Sequence, residues 1–168
     1  MSEGPAQRRF VGLCVPYLFA LIADGCATLA GQSAEYWRGN FDRANEGVKT
    51  FGDVLRIHPI SFIAGSLVLA AWICLLILLL PRMLAVIASL TATMGHTAGA
   101  FTWLRYNFGF SIAVCEAFFL CVALVIALCL TKWWTVDEDQ PIFAMGPVAR
   151  WIGIIVLSTI PIYLFLVR

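Results

Sequence analysis

Charge is what this sequence has least of. Only 12% of its 168 residues are Asp, Glu, Lys or Arg, against roughly 25% in an ordinary soluble domain. The formal balance is +1, so no basic or acidic surplus points to nucleic acid, which is excluded as a partner. Several chemistries are missing as well. The six cysteines (Cys14, Cys26, Cys74, Cys115, Cys121 and Cys129) form no Cys-x-x-Cys pair and no Cys/His cluster, which leaves them as small polarizable fillers in apolar runs. No His-Glu-x-x-His is present, so the common zinc-protease helix is absent. No Gly-x-Ser-x-Gly is present, and Ser66 and Ser111 lack a nucleophile setting. A bis-histidine haem needs two histidines at one depth. His58 stands at the edge of an apolar run, roughly 12 Å shallower than His96 by helical rise.

Hydrophobic residues, by contrast, make up 61% of the chain, where roughly 45–50% is usual. A soluble chain of this length could not cover that surface. Runs of about 20 apolar residues match a hydrocarbon core of ~30 Å at 1.5 Å per residue. Five spans are expected, at about 10–30, 59–80, 83–104, 109–131 and 149–167, forming an all-α, integral membrane bundle as one domain over 1–168. Pro81-Arg82 and Arg105–Phe108, followed by Gly109, supply tight turns. Tyr36, Trp37, Trp103, Tyr106, Trp133, Trp134 and Trp151 lie near span ends, as an aromatic belt requires. Arg8 and Arg9 before the first run loosely suit a signal peptide, but Asp24 interrupts where such a segment is apolar, so the run reads as a retained helix.

Two loops are long enough to matter. In residues 32–58, Val48, Phe51, Val54 and Leu55 recur at helical spacing, which predicts a short helix, either interfacial or an ordinary loop helix packed on the bundle. The second loop carries Asp137, Glu138 and Asp139, the composition of a solvated turn. Basic residues divide almost evenly between the two faces. The Arg8-Arg9 pair tips the expected orientation towards a cytoplasmic N-terminus.

Three ionisable residues fall inside predicted spans. On the third, Ser89, Ala92, Thr93, His96, Gly99, Ala100 and Trp103 share one face. Gly95 and Gly99 add a small-xxx-small spacing that admits a neighbouring backbone. On the first, Tyr17, Ala20, Asp24, Thr28 and Gly31 make a stripe, and on the fourth Glu116 lies among Gly109, Ala113, Leu120, Ala123 and Ala127. Asp24, His96 and Glu116 also lie roughly 9–12 Å below the face that bears the 32–58 loop. A charge at the bilayer centre costs about 2.5–3.5 kcal/mol on insertion scales, so partners are expected. The three therefore predict a buried polar cluster, with Thr28, Glu46, His58 and Thr93 as supporting residues. Such a set suits a divalent metal, a proton or cation relay, or a lock that only holds helices together. No cofactor is specified.

The stretch ADGCATLAGQSAEYW, followed by NEG and HP, resembles small bacterial polytopic membrane proteins of unknown function. Those carry an Asp, a Thr four residues later, and a Glu near Asn-Pro after the first span. The matching positions are Asp24, Thr28 and Glu46, although Asn45-Glu46-Gly47 replaces the Glu-x-Asn-Pro of that pattern. The resemblance covers about the first third of the chain. It implies a multi-pass protein of a bacterial inner membrane and no particular activity. The functional expectation is a non-enzymatic subunit, scaffold or small cation- or proton-handling bundle, with the lipid bilayer and a membrane protein or second copy as partners. The alternative is a metal-assisted intramembrane hydrolase using the same three residues.

Overall fold

The computed structural model describes Gln7 and residues 9–134, the side chains of 131–134 excepted. Every regular element among the described residues is helical. Four helices are long and apolar enough to cross a membrane: α1 (Phe10–Ala30), α4 (Pro59–Leu79), α5 (Arg82–Asn107) and α6, apolar over Ile112–Leu130 and helical to Trp134. Between α1 and α4 lie two short helices, α2 (Ala34–Trp37) and α3 (Lys49–Ile57), with a single 3₁₀ turn at Phe41–Arg43. The fifth predicted span, 149–167, and the acidic triplet lie outside the described residues.

Local chemistry sets the ends of these elements. Pro16 has no N–H to offer the carbonyl four residues back, and the turn before it, Phe10–Cys14, is wound as a π-helix. His58 caps α4: its Nδ1 accepts from the Ile60 N–H at 3.1 Å, and Pro59 takes the first helical position. Leu80 and Pro81 are extended and reverse the chain, and α5 starts at Arg82. The carbonyls at the end of α4 are met by Arg9, which donates to Ile77 O at 3.0 Å and also to Leu80 O. A cation at a helix C-terminus is favoured by both the orphan carbonyls and the macrodipole. Arg9 is buried and occupied in this cap. Gly109, at φ +68°, makes the turn into α6, where an L side chain would be strained.

The bundle has two differently built ends. Away from the loop, Leu13, Cys14 and Tyr17 of α1 pack with Cys74, Ile77 and Leu79 of α4 and Ala85 of α5. At the loop end, Tyr36, Leu55 and Phe62 form a second cluster, with Leu29, Phe41, Phe51 and Val54 around it. Tyr36 Oη donates to Leu55 O at 3.1 Å, which ties α2 to α3. The helix predicted over 48–55 begins one residue later and runs to Ile57. Leu55 and Gly52 face inward, and Val48, its N-cap, is exposed.

The α1–α5 packing is the most extensive of any pair. The two helices run parallel, and two of their contacts, Asp24–His96 and Gly31–Trp103, stand seven residues apart on each helix, the spacing of a coiled-coil heptad. Tyr17 meets the His96 ring at 5.7 Å between centroids. Asp24 meets His96, and Gly31 meets Trp103. Below them, Ser89 Oγ donates to Leu13 O at 2.6 Å.

Candidate functional site

The Asp24–His96 contact is the centre of that seam. Asp24 Oδ2 and His96 Nδ1 are 2.8 Å apart. When Asp24 is ionised it only accepts, and the ring then donates from Nδ1. Gly99 allows the approach. It follows His96 by one turn, and a Cβ there would lie 2.6 Å from Asp24 Oδ1 and 2.8 Å from its Cγ. A heptad further along, Gly31 serves the same purpose, since any side chain there would collide with the Trp103 ring. Gly95, the other member of the predicted small-xxx-small pair, has nothing near it. The close approach belongs to Gly99 alone of the two.

The pair is neither sealed nor bare. The side chains of His96 and Asp24 are 18% and 21% exposed. Both line a cavity of about 500 Å³ that reaches up to the loop, within the range of small-molecule sites. Leu21, Ala92 and Phe62 supply apolar wall, and Asn45, Glu46 and Asn107 supply polar groups nearer the loop. Val48 and Phe51, from the cap and first turn of α3, also line it. Among the described residues no hydrogen-bond partner reaches His96 Nε2.

The other predicted residues separate. Thr28 lines the cavity, and its carbonyl accepts from Gln32. Glu46 lines it as well, with its Oε1 accepting from the Val48 N–H at 3.0 Å at the start of α3. Thr93 is fully buried and returns its hydroxyl to Ser89 O at 2.7 Å, so it serves its own helix. His58 is the α4 cap and packs edge-on against Phe41 at 5.0 Å. It does not line the cavity.

Glu116 does not join the pair. It is exposed on α6 and lines a separate, apolar concavity with Met94, Phe119 and Ala123. Rotation about the helix axis explains this. Cys115 and Val122, seven residues apart, are the buried positions of α6, whereas Ala113, Glu116, Leu120 and Ala123 are exposed. The stripe of small residues around Glu116 therefore faces away from the core. Asp24, His96 and Glu116 therefore do not come together as the three ligands that a divalent metal would use. Among the described residues, no three His, Cys, Asp or Glu side chains are grouped closely enough to share an ion.

One residue that sequence reasoning passed over organises the rim. Gln32, buried just past α1, donates from Nε2 to Thr28 O at 2.8 Å and to Asn45 O at 2.9 Å, and accepts from the Asn45 N–H at 2.8 Å. This pair of hydrogen bonds to the Asn45 backbone fixes the loop segment that leads to Glu46. A lone glutamine after an apolar run was the available signal, but its partner is 13 residues away and follows no helical period.

The site can therefore hold a proton at a defined place. An ionised Asp24 accepting at Oδ2 selects the Nδ1–H tautomer of the neutral ring and leaves the Nε2 lone pair without a partner among the described residues. Comparison with protein-family models, with curated proteins and with solved structures returns no match for this chain.

Proposed function

We propose that this chain is a non-enzymatic, multi-pass membrane protein in which Asp24 and His96 form a proton-handling site at the floor of a loop-covered cavity. One observation carries the reading: a carboxylate–imidazole pair at 2.8 Å lines an accessible cavity of about 500 Å³. A pure helix lock needs no such opening. An unpaired ionisable group at this depth is costly, and those inside membrane segments characteristically line pathways or pair with one another. The third ligand that a metal-assisted hydrolase requires has no candidate beside the pair among the described residues. Bilayer location, a bacterial inner membrane, a cytoplasmic N-terminus and a partner protein or second copy belong to this proposal too. Four helices of spanning length and composition support the first of these.

Nitrogen NMR of histidine-labelled protein in lipid nanodiscs tests the reading. The neutral His96 ring is expected as the Nδ1–H tautomer, with Nε2 taking up a proton reversibly as the bath is acidified. Asp24→Asn removes the anionic acceptor and should redistribute the neutral ring between tautomers. A His96 signal that ignores both bath pH and Asp24→Asn would sink the proton-handling role.

A further inference from the structure

The residues lining the cavity carry a charge pattern that selects a ligand. Asp24 stands at the floor and Glu46 nearer the loop, and no lysine or arginine is among the lining residues described. The nearest basic side chains of α3 are engaged elsewhere. Lys49 and Arg56 both pair with Asp53, at 2.9 and 3.1 Å. Arg105 near the end of α5 donates to Phe110 O at 3.0 Å. An anion entering here would meet Glu46 and an Asp24 already paired with His96, and no lysine or arginine among the described lining residues. A cation would meet two acceptors inside a largely apolar wall.

The wall itself points the same way. Phe51 of the α3 lid, Phe62 of α4 and Trp103 of α5 all line the same space. Aromatic faces attract cations through their quadrupoles, and most strongly where water is scarce. A small hydrated metal ion gains little from three aromatic side chains and finds no three-ligand set here among the described residues. An organic cation of drug-like size uses the apolar wall, the aromatic faces and the carboxylates together. We infer that the cavity binds a hydrophobic organic cation, its charge held between Asp24 and Glu46 and its apolar body against Phe51, Phe62 and Trp103. This rests on the proton-handling reading above, because the same Asp24 carboxylate serves both the ring proton and the ligand charge.

The test uses two probes of nearly one shape and opposite charge, tetraphenylphosphonium and tetraphenylborate. Binding is measured calorimetrically to full-length protein in zwitterionic nanodiscs, with empty nanodiscs subtracted to remove partition into lipid. Tetraphenylphosphonium should saturate at one per chain, while tetraphenylborate shows nothing above empty discs. Asp24→Asn should weaken tetraphenylphosphonium about tenfold or more, the scale of one lost charge contact at ~1.4 kcal/mol per decade. Glu46→Gln, a change nearer the loop that leaves the α1–α5 seam intact, should weaken it about threefold. Glu116→Gln removes the same charge outside the cavity and should leave it unchanged. Equal binding of the two probes, or equal effects of the Asp24 and Glu116 changes, would overturn the inference. So would absence of saturable tetraphenylphosphonium binding. If the His96 tautomer still responds to Asp24→Asn in that case, the proton-handling reading stands and only the ligand class falls.

Discussion

Asp24 and Glu116 are carboxylates in apolar helices, at depths that the sequence makes nearly equal, yet they have opposite fates. Asp24 lies on the seam where α1 meets α5 and is held by His96 at 2.8 Å. Glu116 lies on the outward face of α6, in an open apolar concavity. Depth along a helix axis is fixed by counting residues, but partnership is decided by rotation about that axis. On α5 the heptad Ser89, His96 and Trp103 is buried or half-buried along its length. On α6 the inward heptad is Cys115 and Val122, one residue out of phase with Glu116.

The seam can be broken most sharply at its glycines. Gly31→Ala should cost about 1–3 kcal/mol, because the new methyl forces the buried Trp103 ring out of its place. Gly95→Ala, on the same helix as Gly99 but facing open space, removes no contact and should be neutral, or stabilising by up to about 1 kcal/mol through helix propensity. Thermal unfolding in detergent ranks the two. Equal losses would mean that the α1–α5 register is wrong.

A smaller effect is expected above the seam, in the loop that covers Asp24 and leaves Glu116 uncovered. Tyr36 is buried and donates to Leu55 O, and burial holds its phenol above the ordinary value. The folded state therefore keeps the proton longer than the unfolded state does. Its stabilising contribution is complete below the ordinary phenol pKa of about 10 and is lost as pH rises through the higher folded value. Alkaline titration followed by phenolate absorbance and helix content should show α2 and α3 loosening with this one ionisation. Tyr36→Phe should remove that component and leave the rest of the curve in place.

Much of this arrangement was legible in the residues. Apolar run lengths located four helices to within a few residues at each end, because hydrophobic thickness and helical rise leave little freedom. The i, i+3, i+4 and i+7 stripes of α1 and α5 carried Asp24 and His96 to facing surfaces for the same reason. What failed was the assumption that small residues mark a packed face. On α6 the stripe of Ala113 and Ala123 is exposed, and the buried positions are Cys115 and Val122. Composition cannot separate these faces when every side chain around a helix is apolar enough for lipid. His58 and Thr93 stand outside the cavity lining for a different reason. One polar atom of each, His58 Nδ1 and Thr93 Oγ1, is taken up by a local backbone group, the Ile60 N–H and Ser89 O, a demand that side-chain patterns do not display. The Gln32–Asn45 tie was invisible because it joins two irregular segments.

The central claim is that Asp24 and His96 act on each other while Glu116 acts on neither. Two double-mutant cycles in detergent-solubilised protein measure this directly, one combining Asp24→Asn with His96→Gln and one combining Glu116→Gln with His96→Gln. The first should give a coupling energy of about 0.5–3 kcal/mol, as expected for residues in contact, and the second should be additive to within about 0.5 kcal/mol. Additivity in the Asp24 cycle, or coupling of similar size in the Glu116 cycle, would contradict the account.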